Sequence, residues 1–129
     1  MCRLVTVIHQ KKSLLENKVI MKLSERRADN NDKVAIINYG EGSIKMQLEK
    51  FDILDYYGKV NELKKLSYNS IFAHLPISNM KKYSQLLVES DLVILSSNNL
   101  IMNLNEFMRN GFSFEDKNLI EKTTVLFQK

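Results

Sequence analysis

The chain has 129 residues, of which 44% are hydrophobic and 26% are charged. That length and composition suit one globular domain spanning residues 1–129 and do not suit a disordered chain. The single cysteine excludes a scaffold held by internal disulfides. No apolar run reaches the ~18–20 residues that cross a bilayer, and no signal peptide is recognisable. The net charge is +4, but the lysines are scattered in pairs, so nucleic acid is not an expected partner. We therefore expect a cytoplasmic protein with no membrane association.

Apolar and β-branched runs predict strands along the whole chain. These strands cover residues 3–9, 34–38, 43–48, 51–57, 70–74, 92–95 and 112–114. Helical spacing of apolar residues predicts helices at residues 13–24, 58–66 and 103–109. Ser13 is the expected N-cap of the first helix, and residues 26–32 are the polar loop that follows it. Residues 118–127 fit either a helix or a strand.

The predicted order of elements is β-α-β-β-β-α-β-β-α-β. Strands and helices do not alternate strictly in this order. It therefore favours an α+β fold of packed sheet and helix layers over a doubly wound parallel sheet.

Cys2 is the residue whose position most strongly suggests chemistry. If Met1 were removed, Cys2 would carry both a thiol and a free α-amine, whose pKa is ~7.7–8.0 in unperturbed peptides. Such an amine can act as a base toward its own side chain. The strand predicted at residues 3–9 would hold this residue rigidly. The structural alternative is that Cys2 is a small apolar filler near the end of the chain.

Several short motifs follow one another in an order that resembles a known family. They are the opening Met-Cys-Arg-Leu-Val-Thr, Leu-Leu at 14–15, Arg-Arg at 26–27, Gly-Lys-Val at 58–60, Ala-His at 73–74, Ser-Ser-Asn-Asn at 96–99 and Gly-Phe-Ser-Phe at 111–114. In order and spacing they are similar to the glutaminase domain of class II glutamine amidotransferases, which are N-terminal-nucleophile hydrolases. The resemblance covers nearly the whole chain, and each motif alone is weak. It implies a minimal αββα layered domain whose second sheet is incomplete, or is completed by a partner chain or a second copy.

The resemblance also implies roles for individual residues. Cys2 matches the nucleophile that attacks the side-chain amide of glutamine and forms a thioester. Asn98, with Asn99 beside it, matches the position that donates to the oxyanion, although a turn residue is the plainer interpretation. Arg27 and His74 match substrate-binding positions, with a solvent-exposed loop charge and a structural histidine as their alternatives. No cofactor is implied, and one cysteine with two distant histidines does not suit a metal site.

This chain departs from the family pattern where the substrate should be held. Pro76 stands in place of the arginine that clamps the glutamine carboxylate, and Leu119 falls where an aspartate should bind the amine. The glutamine pocket is therefore degraded, and three hypotheses remain open. The chain is a cysteine amidohydrolase acting on a small amide, a catalytically inactive descendant that binds a protein in the manner of a viral or regulatory module, or a nucleic-acid-binding module that uses its basic surface.

Overall fold

A computed structural model of the protein describes residues 2–10, 13–40, 50–54, 59–97, 121 and 123–127. The strands in this part of the chain are β1 (Arg3–His9), β2 (Val34–Asn38), β3 (Asp52–Leu54), β4 (Ser70–Pro76), β5 (Leu92–Ser97) and β6 (Thr123–Phe127). The α-helices are α1 (Lys18–Asp29) and α2 (Ser84–Glu89). Short 3₁₀ segments cover Leu14–Glu16, Val60–Lys65 and Ile77–Asn79.

The described strands form one six-stranded sheet in the order β3-β2-β4-β1-β5-β6. Every strand pair is parallel. The preference for an α+β arrangement over a doubly wound parallel sheet is therefore wrong. A parallel pair needs a crossover connection, usually a helix. Between β4 and β5 this helix is α2, at a position where no helix is predicted from the sequence. The predicted hairpin strand at 43–48 lies outside the described residues.

Helical segments cover both faces of the sheet. On the face we call the α1 face, α1 packs over Val5, Val7, Phe72 and Ile94. On the opposite face, the α2 face, Leu63 and the α2 residue Leu86 join the cluster formed by Leu4 and Ile8. Right-handed crossovers explain this arrangement. The connection through α1 runs from β1 toward β2, whereas the connection through α2 runs from β4 in the other direction to β5.

The coarse expectation of mixed sheet and helix layers is confirmed. The order of layers is helix, one parallel sheet, helix. The described residues contain no second sheet of the kind that the αββα arrangement requires. Among them, no helix combines the length and the apolar character needed to span a membrane.

Most of the described strands lie close to their predicted positions. β1 and β2 have the predicted bounds, and β4 and β5 each continue two residues further than expected. Pro76 ends β4 instead of standing outside it, since the last residue of a strand can lack an N–H without interrupting the ladder. The segment 51–57 is described only at 52–54, as a strand, and the helix at 58–66 is a 3₁₀ segment at 60–65. Of the segment 118–127, residue 121 is helical and residues 123–127 form a strand.

The first helix differs from its prediction at both ends. Asn17, not Ser13, is the N-cap, because its side-chain oxygen accepts a hydrogen bond from the backbone N–H of Ile20. The helix then continues to Asp29, so the expected polar loop at 26–32 is wrong for residues 26–29. It ends in a Schellman motif, in which Asp32 N–H bonds to Arg27 C=O and Asn31 N–H bonds to Ala28 C=O.

Asn31 supplies the left-handed residue of this motif, with φ at 66°. Glycine adopts that conformation without a steric penalty. We expect Asn31→Gly to raise the free energy of unfolding by about 0.5 kcal/mol and Asn31→Ala to lower it by about 1 kcal/mol. Urea denaturation of the two variants measures both changes. A shift in the same direction for both would contradict this account of the helix end.

Candidate functional site

The carboxyl ends of the parallel strands meet at one edge of the sheet. After β1 the chain leaves through α1 toward β2, and after β5 it leaves in the other direction toward β6. The connections from these two adjacent strands therefore diverge. In open parallel sheets the crevice at such a switch point is where ligands bind. The fold thus directs attention to the carboxyl ends of β1 and β5.

Near this edge, four strand positions hold polar residues where apolar ones precede them in the strand. All four are on the α1 face. Each lies two residues beyond a strand residue that packs toward α1, namely Ile36, Phe72, Val7 and Ile94, and residues two apart in a strand share a face. The four are Asn38, His74, His9 and Ser96.

The strand register arranges these residues in two rows. Asn38 pairs with His74 in the inner row. His9 pairs with Ser96 in the outer row, between the two strands that diverge. The ring centroids of His9 and His74 are 6.3 Å apart. Three of the four residues are buried, with exposed fractions of 7% for His9, 0% for His74 and 1% for Ser96.

Asn17 fixes the orientation of His74. Its Oδ1 accepts from the N–H of Ile20, so the amide nitrogen faces the imidazole, with Nδ2 2.8 Å from Nδ1 of His74. An amide NH₂ can only donate. Nδ1 of His74 is therefore the acceptor, and the ring proton is on Nε2. Both side chains are completely buried, so the N-cap of α1 also sets the tautomer of this histidine.

Ser96 is the unusual member of the group. Its hydroxyl oxygen is buried and has no hydrogen-bond partner among the residues that the structure describes. Burying an unpaired hydroxyl costs about 1–3 kcal/mol. By contrast, the hydroxyl of Ser90 contacts Thr6 Oγ1 at 2.6 Å and donates to Leu86 C=O at 2.6 Å. An unpaired hydroxyl at the mouth of a strand crevice is positioned to bond to a ligand.

The start of α1 gives this edge a positive character. The first turn of α1 contains no acidic residue and begins with exposed Lys18. Within the helix itself nothing compensates the partial positive charge of its N-terminus, whereas exposed Glu16, directly before the cap, opposes it in part. The buried contact between Asn17 and His74 places that helix end beside the polar residues. The surroundings thus favour an anionic group over a cationic one.

Cys2 lies at the opposite, amino edge of the sheet and packs against the core of the α2 face. Burial raises the pKa of the Cys2 thiol from its ordinary value of 9.0, and the negative charge of Asp91 adds to this effect, while Lys64 opposes it. The carboxylate of Asp91 accepts hydrogen bonds from Leu4 N at 2.9 Å and from Lys64 Nζ at 2.8 Å. Burial tends to raise the pKa of Asp91, but the hydrogen bonds from Lys64 and Leu4 hold it below the usual 3.8. This environment disfavours the thiolate, the reactive form.

The residues predicted to share a site with Cys2 lie elsewhere, as far as they are described. Arg27 is on the amino half of the molecule but on the α1 face, lining a cavity with Arg3. His74 is buried near the carboxyl edge. Asn98 and Asn99 lie outside the described residues. The last described residue before them is Ser97. It ends β5, which runs parallel to β1, so it lies at the carboxyl edge. The described geometry therefore does not bring Cys2 together with Arg27 or His74.

The polar edge was only partly visible in the sequence. The sequence places His9 at the end of a predicted strand and predicts a substrate-binding or a structural role for His74, and it predicts no role for Asn17, Asn38 or Ser96. The available signal was a polar residue near the end of several apolar runs, a pattern that gains meaning only if the strands are parallel. Within the described residues, no group of three or more His, Cys, Asp or Glu side chains could hold a metal ion.

We expect Asn17→Asp to move the ring proton of His74. A carboxylate at position 17 still accepts from Ile20 N–H and caps α1 well, but it can only accept from the imidazole, so Nδ1 must carry a proton. The ¹⁵N chemical shifts of the ring nitrogens report this change. The chain has two histidines, so His9 provides the internal reference. A wild-type His74 already protonated at Nδ1 would contradict the assignment.

No family model, no curated protein and no solved structure matches this chain. The function is therefore argued from the residues of the chain itself.

Proposed function

We propose that this chain binds a small molecule carrying a phosphate or a similar anionic group at the carboxyl edge between β1 and β5. The observation that carries the proposal is the buried hydroxyl of Ser96, which lies beside His9 at the switch point of the sheet and has no partner within the described part of the chain. A buried unpaired hydroxyl destabilises the folded chain. A ligand oxygen would provide the missing hydrogen bond.

Charge supports an anion as the ligand. The first turn of α1 contains Lys18 and no acidic residue, and its backbone N–H groups favour negative charge at this edge, which Glu16 before the cap opposes only in part. The location itself follows the general behaviour of open parallel sheets, which is an argument from fold and not from a shared activity. Asn17 and His74 act as positioning residues behind the outer row formed by His9 and Ser96.

Histidine NMR tests the proposal directly, because both histidines of the chain, His9 and His74, belong to this site. We expect titration with inorganic pyrophosphate or adenosine monophosphate to move their ring resonances saturably. Ser96→Ala should weaken the binding about tenfold, because one hydrogen bond to a charged ligand is lost. The variant should remain folded, since the hydroxyl has no partner in the free protein.

Ser24→Ala is the matched control. Ser24 is also completely buried, and its hydroxyl is also unpaired, but it is in the middle of α1. We expect this variant to bind with unchanged affinity. Equal weakening by both substitutions, or the absence of saturable shifts with either compound, would contradict the proposed site.

The amidohydrolase hypothesis and its N-terminal-nucleophile layering stay predictions. For that function Cys2 would be the nucleophile after removal of Met1, and a small amide would be the substrate. The inactive, protein-binding descendant and a partner that completes the sheet are likewise predictions. No contact among the described residues favours either over the carboxyl-edge site.

Cys2 reactivity tests the amidohydrolase hypothesis separately. Because burial and Asp91 raise the thiol pKa above 9.0, we expect iodoacetamide at pH 7 to modify Cys2 no faster than it modifies glutathione. Asp91→Asn should increase the rate, and Asp52→Asn serves as the control because Asp52 instead accepts from Tyr68. Mass spectrometry measures the modified fraction. Stoichiometric labelling of Cys2 by 6-diazo-5-oxo-L-norleucine would contradict this expectation and support the amidohydrolase.

A further inference from the structure

A second cavity lies on the α1 face near the amino ends of the strands. Its volume is about 340 Å³, and three arginines line it, Arg3 from the start of β1 with Arg26 and Arg27 from the last turn of α1. Arg3 and His9 are the two ends of β1. Six residue-to-residue steps along the strand separate them, or about 20 Å. This arginine cavity is therefore distinct from the carboxyl-edge site.

The charged side chains that line the arginine cavity are all positive. None of the described residues that line it is acidic. Within the described part of the chain, the ion pairs join Lys50 to Asp29 and Lys64 to Asp91, and none involves these arginines. Arg26 and Arg27 compensate the negative end of α1. Arg3 comes from another element and lines the same space. Its charge also helps to lower the pKa of Asp91, but Asp91 does not line the cavity.

The floor of the arginine cavity is apolar. Phe72 and Ile94 contribute to it with exposed fractions of 4% and 5%, and Leu92 lies beside them. The volume is within the range of small-molecule pockets. A guanidinium binds a carboxylate, phosphate or sulfonate through paired N–H donors. The apolar floor would in turn bury a ring or a short chain attached to that group.

The geometry points to a second ligand site in the arginine cavity, which takes a small molecule with one anionic group on an apolar body. The guanidinium groups of Arg3 and Arg27 bind the anion, and Phe72 and Ile94 contact the apolar body. This site is independent of the proposed function, since it uses other residues at the opposite edge of the sheet.

Titration of the full chain with 1-naphthalenesulfonate tests this inference. We expect saturable binding that moves the methyl resonances of Ile94 and leaves the histidine ring resonances in place. The neutral analogue 1-naphthalenesulfonamide should bind at least about tenfold more weakly, because it lacks the charge that the arginines bind. The double variant Arg3→Gln with Arg27→Gln should lose affinity for the sulfonate by a similar factor.

A double variant with Lys65→Gln and Lys81→Gln is the matched control. It removes the same net charge at exposed positions outside the arginine cavity, and we expect it to keep the wild-type affinity. Equal binding of the neutral analogue, equal losses in the two double variants, or shifts of the histidine resonances would overturn the inference. Displacement of the probe by a ten-nucleotide single-stranded DNA at lower concentration than by adenosine monophosphate would overturn the small-molecule assignment in favour of nucleic acid.

Discussion

Because β1 pairs in parallel with β4 on one side and with β5 on the other, all strand ends of one kind lie at one edge of the sheet. That constraint determines which residues can meet. Polar residues that are far apart in the chain, such as His9 and Ser96, become neighbours. Cys2, at the other end of the same strand, is kept away from them. If one central strand ran in the opposite direction, the residues at its two ends would exchange edges. The direction in which β1 pairs therefore determines which of its residues lie at each edge of the sheet.

The two edges differ in how their polar groups are satisfied. At the amino edge, the carboxylate of Asp91 bonds to Leu4 N and Lys64, and it joins the start of β5 to β1. Those contacts complete a structural connection, and burial together with the negative charge of Asp91 raises the pKa of the nearby Cys2 thiol. At the carboxyl edge, the hydroxyl of Ser96 is buried and no described residue bonds to it. The first arrangement is explained by stability alone, whereas the second weakens the fold and therefore calls for another explanation.

Much of the described fold could be predicted from local sequence. The apolar runs located β1, β2, β4 and β5, because burial on both faces leaves a continuous β-branched signal. The direction of pairing could not be predicted, since it depends on crossovers and on contacts between distant residues. The helix α2 was missed although Met80, Leu86 and Leu87 are all buried against the sheet, because the segment after Pro76 was given no assignment.

The site was less predictable than the fold. His74 was placed on the correct strand, but its partner Asn17 is 57 residues away in the chain. The capping role of Asn17 was itself hidden by Ser13, a reasonable cap only if the helix starts earlier. Arg27 was expected to bind a substrate, and the structure places it in a cavity with Arg3. That combination depends on the packing of α1 over β1, which no short motif encodes.

The two hydrogen bonds of Asn17 join the first turn of α1 to the imidazole of His74. Folding of the helix therefore removes the rotational freedom of the ring before any ligand arrives. The entropy of ordering that ring is lost during folding, so it does not weaken subsequent association. The same connection makes the site sensitive to fraying. An opening of the helix start would release the ring and reduce ligand affinity even if every strand stayed in register.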